Sequence, residues 1–211
     1  MKPLHSLWAL LLALVFTSTQ AQVERFVAGT HYLVVPDAPL LRELQPHGDK
    51  PEVTEIFWYG CPHCYEFDPL LTAWVQKQGE TIAFSRLPLN TDPVTKNHAR
   101  MFYTAQALGL GEKLHKAFFD TIHVQHNRLQ NAAAVRQLFT DNGVSAAQFD
   151  GAFNGFAVDS QVRKDASMML ALQVPSVPCM VVNGRYLVHI DEAVPSHQAM
   201  LEVVEFLLHK K

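Results

Sequence analysis

Strand-forming residues lie at both ends of this 211-residue sequence and are sparse in its middle. Val53 to Tyr59 is dense in β-branched and aromatic residues and is bounded by Pro51 and Gly60. That pattern predicts a short buried strand. Cys64, Phe67, Leu71, Trp74, Val75 and Gln78 then recur at helical spacing, and Gly79 stands where a C-terminal cap belongs. Ile82 to Leu87 is a second strand, so the segment is a βαβ unit. Strand signals return at Cys179 to Val182 and Arg185 to Val188, which flank the hairpin dipeptide Asn183-Gly184. Ser196 caps a last helix with Met200, Leu201, Val203, Val204, Leu207 and Leu208 on its apolar face.

Between these halves the pattern is helical. Asp92 and Pro93 open a helix that stops at Gly109, by N-cap and proline at the first position. Further helices are predicted over Glu112–His123, Asn131–Asn142, Ser145–Asn154 and Val158–Leu172. Near the N-terminus, His31 to Val35 is β-rich, and Pro36, Pro39, Pro46, Gly48 and Pro51 predict an irregular connection after it. The expected architecture is α/β: a mixed sheet of four or five strands with an inserted all-helical block.

Composition narrows the function. Hydrophobic residues make up 48% and charged residues 18%, as in ordinary globular chains rather than disordered ones. The formal charge of −3 argues against a nucleic-acid binder, which would show a basic excess. Lys2 followed by the apolar run Leu7 to Phe16 and the small residues around Ala21 has the form of a secretory signal peptide, with cleavage after residue 21. The run is too short to span a bilayer. The mature chain is expected to be exported, where disulfides persist.

Three cysteines are too few for a disulfide scaffold. Two of them form Cys61-Pro62-His63-Cys64, at the joint between the first βαβ strand and its helix. A C-x-x-C pair placed there indicates a thioredoxin-like redox site. Pro62 falls in the first helical turn, where its missing N–H costs nothing. Cys61 then faces unpaired backbone N–H groups and the positive end of the helix dipole, and both favour the thiolate. A charged or donating His63 adds to this. Cys64 lies one turn in, more buried, and within reach of a mixed disulfide at Cys61. A stabilised thiolate is a good leaving group, so such a pair donates its disulfide rather than reducing others. Structural zinc needs about four ligands, and no second paired-ligand motif is present. A c-type haem site would need histidine after Cys64, where Tyr65 stands. An inert structural disulfide is the remaining alternative, and it fits a helix start poorly. No metal and no organic cofactor is expected.

Glu55-Ile56-Phe57-Trp58-Tyr59-Gly60-Cys61-Pro62-His63-Cys64-Tyr65 resembles the active-site segment of the DsbA family of periplasmic thiol:disulfide oxidoreductases. Val177-Pro178, with Val181-Val182-Asn183-Gly184-Arg185-Tyr186 after it, is similar to that family's cis-proline loop and hairpin. The resemblance covers essentially the whole mature chain. It implies a thioredoxin-like domain over 22–89 and 174–211, with an inserted helical domain over 90–173. It implies Cys61 as nucleophile, Cys64 as resolving thiol, and a strongly depressed Cys61 pKa. It implies Pro178 as the cis proline, with Val177 and Pro62 contacting substrate. It places Glu55 beneath the active site as an aid to proton transfer at the buried cysteine. The family's lysine from the next strand is matched here by Arg86, which keeps its charge and cannot share a proton. The implied activity is donation of a disulfide to newly exported, unfolded proteins. The implied partner is a quinone-linked membrane reoxidant like DsbB, and the chain is expected to be a periplasmic monomer. The rival readings are a disulfide isomerase or reductase and a redox-inert chaperone. Isomerases of this superfamily carry an N-terminal dimerisation domain, for which about 30 residues before the Val53 strand leave no room.

Other residues carry weaker signals. Cys179, next to Pro178, is read as a small buried hydrophobe, with an extra redox thiol as the alternative. Trp58 and Tyr59 are expected as exposed aromatics that either shape a groove or pack inward. Met168, Met169 and Met180 are expected in the core. His98, His115, His123 and His126 are expected on helix surfaces.

Overall fold

The apolar run before the Cys-Pro-His-Cys joint becomes the strand on which the rest of the sheet is assembled. The computed structural model describes residues 24–210, so the expected signal peptide over 1–21 lies outside the described residues. The five strands are β1 (Leu33–Val34), β2 (Glu52–Phe57), β3 (Ala83–Pro88), β4 (Cys179–Val182) and β5 (Tyr186–His189). Their order in the sheet is β1-β5-β4-β2-β3. β2 pairs parallel with β3 and antiparallel with β4. Its interior residues from Val53 to Phe57 are buried on both faces, which explains a near-continuous apolar run in place of alternation.

The helices are α1 (Pro62–Gln78), α2 (Pro93–Ala107), α3 (Gly111–His123), α4 (Ala132–Asp141), α5 (Ala146–Phe153), α6 (Phe156–Leu172) and α7 (His197–Leu208). Helices α2 to α6 all fall between β3 and β4, as the loss of strand signals predicts. Their starts follow local chemistry. Asp92 accepts hydrogen bonds from the amides of Val94 and Thr95, while the Thr95 hydroxyl reaches back to the Asp92 amide. Ser145 and Gln148 form a second capping box, and Asn131 and Ser196 cap α4 and α7. Asn183 and Gly184 both have positive φ, as the predicted two-residue hairpin requires.

Three departures have physical causes. The first strand is two residues long rather than five, because it is an edge that pairs only with β5 before Pro36 ends it. The proline-marked connection holds a 3-10 turn over Pro39–Leu44, started by Pro39 and anchored by buried Leu41 and Leu44. The last strand begins at Tyr186 rather than Arg185, whose amide closes the hairpin turn onto the Val182 carbonyl at 3.0 Å.

The layers explain how the site is held. One sheet face, with Val53, Met180, Val182 and Val188, packs on Phe67 and Leu71 of α1 and on Met200, Val203, Val204 and Leu207 of α7. The other face, with Ile56, Leu87, Cys179 and Val181, is covered by the 3-10 turn and by Met168, Met169 and Leu172 of α6. All three methionines named in the sequence are core residues. A third apolar cluster joins Phe57, Tyr59, Cys61 and Cys64 to Phe102, Leu114, Phe118, Phe119, Phe139 and Phe149 of the helical segment. The joint carrying the cysteines is therefore built into the helical core as well as the sheet. No helix among the described residues is long and apolar enough to cross a membrane.

Candidate active site

Cys61 is the N-cap residue of α1 and Pro62 its first residue, so the helix begins as the sequence predicts. Cys61 keeps 8% of its surface exposed, whereas Cys64 and Cys179 have none. All three are free thiols in this structure. The Cys64 thiol donates toward the Cys61 sulfur, and this is the strongest influence lowering the Cys61 pKa. Burial opposes it. The amides of Cys64 and His63 at the helix start lower the pKa further, and the His63 charge adds the smallest share. The result is a Cys61 pKa of about 6, against an ordinary value of 9.0. Burial drives the Cys64 pKa strongly upward, and the neighbouring Cys61 adds to this. One sulfur is thus held as a thiolate and the other as a thiol. Sequence reasoning assigned the effect to the helix end and His63; the larger contribution comes from the second cysteine.

The Val177–Pro178 peptide is cis. It brings the Val177 carbonyl to 3.4 Å from the Cys61 sulfur, where the protonated thiol donates to it. His63 points to solvent with its Nδ1 3.5 Å from Glu66 Oε2. Pro62 lines a groove beside Cys61 together with Trp58, Gly60, His98, Ile122 and Arg128.

Beneath the cysteines lies a buried polar cluster. Glu55, 1% exposed, stands opposite Arg86 in the parallel register of β2 and β3. The Arg86 guanidinium donates through Nε to Glu55 Oε2 at 2.9 Å and through Nη2 to Asp68 Oδ1 at 3.1 Å. His115 Nε2 donates to the same Asp68 oxygen at 3.0 Å. That fixes the tautomer, so the Tyr59 hydroxyl donates to His115 Nδ1 at 2.8 Å. Burial raises the Glu55 pKa to about 7 even though Arg86 opposes it. For Asp68, burial is outweighed by the hydrogen bond and charge of His115 and by Arg86, so its pKa is lowered.

The structure corrects the expectation for the histidines. His98 and His115 are buried, at 2% and 7% exposure, not on helix surfaces. Both rings are satisfied internally, which permits their burial: His98 Nδ1 accepts from the Trp58 indole at 2.9 Å, and its Nε2 donates to the Arg128 carbonyl at 3.0 Å. His123 is half-buried and donates to the Tyr59 carbonyl, and His126 lies past the end of α3 with φ of 56°. Tyr59 is a core residue, 1% exposed, in edge contact with Phe57, Phe118 and Phe119. Asp68 and Tyr59 belong to the cluster although the sequence reading did not place them there. The available signals were positional: Asp68 follows buried Phe67, His115 stands four residues before buried Phe119, and Tyr59 lies two residues after buried Phe57.

A mixed sheet whose central strand leads into a helix through two cysteines of opposite protonation preference, next to a cis proline, defines a dithiol–disulfide oxidoreductase of thioredoxin-like fold. Residues 52–200 match the family described as DSBA-like thioredoxin domain, and the chain belongs to that family. It is 34% identical over 191 residues to the thiol:disulfide interchange protein DsbA of Pseudomonas aeruginosa, covering 90% of this chain and 88% of that one. It is 42% identical over 137 residues to DsbA of Burkholderia cepacia, covering 65% of each. The crystal structure of Pseudomonas aeruginosa DsbA superposes with a TM-score of 0.79 at 31% identity, over 89% of this chain and 95% of that one.

Proposed function

We propose that the oxidised Cys61–Cys64 pair donates its disulfide to newly exported, unfolded proteins. A substrate thiolate attacks the Cys61 sulfur, the Cys61–Cys64 bond breaks, and Cys64 leaves and takes a proton. A second substrate thiolate then attacks the substrate sulfur of the mixed disulfide. The substrate is oxidised to a disulfide, and Cys61 departs as a thiolate. The observation that carries this reading is the asymmetry of the pair. A Cys61 pKa near 6 makes Cys61 the good leaving group and, by stabilising its thiolate, makes the reduced form favourable, while buried Cys64 keeps its proton.

In this reading Cys61 is the nucleophile and Cys64 the resolving thiol, with His63 as a minor electrostatic aid. Glu55 supplies the proton to departing Cys64; its burial beneath the pair and its charge, which adds to the burial that raises the Cys64 pKa, support this role. Val177 and Pro178 present backbone to an extended substrate, and Pro62 lines the groove that receives its side chains. Residues 90–173 form an inserted helical domain on a thioredoxin-like domain of 22–89 and 174–211. The working compartment is the periplasm, the chain acts as a monomer, and a quinone-linked membrane protein like DsbB reoxidises it.

The test is oxidation of a reduced peptide dithiol by stoichiometric oxidised protein. Rapid formation of the peptide disulfide is expected. Cys61→Ser abolishes exchange, and Cys64→Ser accumulates a mixed disulfide with the peptide. A wild-type protein that leaves the peptide reduced, or an active Cys61→Ser, overturns the reading.

A further inference from the structure

The cluster under the active site holds two carboxylates around one guanidinium. Arg86 cannot give up its proton. With Glu55 and Asp68 both ionised and His115 neutral, one guanidinium serves two carboxylates; Asp68 lies at the edge of the cluster, within reach of Lys116, whereas Glu55 is fully enclosed and is left with a partly uncompensated charge. Such a charge is costly away from water, so a proton is drawn in. Two groups are built to hold it. Glu55 is one, because it makes a single bond to Arg86 and is otherwise enclosed. His115 is the other. Its Nε2–H donates to Asp68 in either charge state, and Tyr59 Oη can turn from donor to acceptor when Nδ1 gains a proton.

We infer that Glu55 and His115 hold one proton in common, linked through Arg86 and Asp68, so that protonating either disfavours protonating the other. The inference rests on the reading of Glu55 as the proton source for Cys64. The linkage has a structural cause. When His115 is charged, its imidazolium neutralises Asp68, and Arg86 is left to compensate Glu55 alone, which keeps Glu55 ionised. When His115 is neutral, Asp68 draws on Arg86, and Glu55 holds the proton. The groups facing His115 are Asp68 of α1, Tyr59 of the joint, Arg86 of β3 and Glu112 of its own helix; Glu55 of β2 reaches it only through Arg86 and Asp68, and Lys116 of α3 acts on Asp68 from the outer side. Their balance sets the coupling. His115 is therefore a positioning residue: it touches no sulfur and acts on the proton that Glu55 delivers. Where a lysine could itself share a proton with Glu55, arginine cannot, and the histidine supplies the second holder.

The experiment is a pH titration of the oxidised protein, in which neither Cys61 nor Cys64 titrates, by NMR, following the Glu55 carboxyl carbon and the His115 ring. Coupled sites titrate in shared macroscopic steps. In wild type both signals are expected to move in the same two steps. In His115→Gln, which still donates to Asp68 but cannot take a charge, Glu55 is expected to move in one step. Tyr59→Phe removes the hydroxyl that donates to neutral Nδ1 and would accept from a charged one, so it shifts the balance between the two holders and is expected to displace the Glu55 steps. It decides the matter alone if His115→Gln does not fold. A Glu55 titration identical in all the folded proteins overturns the inference. The titration needs no substrate, so a protein that fails to oxidise thiols yet shows linked steps refutes the proposed function and leaves the shared proton standing without its role in exchange.

Discussion

The Cys61 sulfur lies 3.4 Å from the backbone carbonyl oxygen of Val177, and the hydrogen between them belongs to the thiol. Ionisation of Cys61 removes that hydrogen. The contact then sets a thiolate against a carbonyl oxygen, and the oxygen needs another donor. An amide of an extended peptide laid along the loop is the donor such a site can take.

Peptide affinity of the reduced protein should therefore rise with pH through about 6, the Cys61 pKa. The probe is a peptide with serine in place of its cysteine, titrated by calorimetry on either side of that pH. Binding that weakens or stays level as pH rises contradicts the competition between thiol and peptide.

Thiolate absorbance should place the Cys61 midpoint near 6, and the ranking of influences predicts how it moves. Cys64→Ala removes the largest stabilising hydrogen bond and should raise the midpoint more than His63→Ala does. The sign for stability follows. A folded pKa below the ordinary 9.0 gives stabilisation that is complete above 9.0 and lost as pH falls through about 6. The oxidised protein has no such thiolate. The stability of the reduced form relative to the oxidised form should grow from pH 6 to 9 in denaturant titrations.

Gly60 leaves room for the Trp58 indole, since a Cβ there would come within 2.3 Å of the ring. Gly60→Ala must push the indole off His98 and break their hydrogen bond. The expected loss is about 1–3 kcal/mol, as for other overpacked sites, with a change in tryptophan fluorescence. Unchanged fluorescence and stability would mean the ring is not held as described.

Cys179 is enclosed between Ile56 and the α6 methionines, and burial raises its pKa well above the ordinary thiol range. Alkylation of the native reduced protein should label Cys61 and spare Cys179. Cys179→Ala should keep full exchange activity and lose about 1 kcal/mol or less of stability, as a small change of buried volume does. Loss of activity in this variant would restore Cys179 as a working thiol.

The βαβ unit, the five middle helices, the hairpin and the placement of the cysteines were legible because each rests on local signals: apolar spacing, caps, and turn dipeptides. Glu55 was legible for a different reason, as part of the segment that resembles the family's active site. Arg86 was placed beside it through the same resemblance. The rest of the cluster was not legible: Asp68 and His115 each look like an ordinary polar residue on its own element, and only the packing of α1 and α3 beside β3 brings them to Arg86. His98 shows the same limit. It lies four and seven residues before Phe102 and Ala105, on the apolar face of α2, yet its burial depends on an indole forty residues away. A single histidine on a helix does not announce its partner.

The contact between Cys61 and Val177 spans 116 residues of chain. Everything between must be made before that loop can close, and closing it carries an entropic cost that local elements do not meet. During biogenesis the two halves of the catalytic pocket therefore arrive at different times. Until β4 docks against β2, Cys61, Cys64 and Cys179 are three exposed thiols on an incomplete chain. A nascent copy of this oxidase is, for that interval, the kind of molecule that a finished copy oxidises.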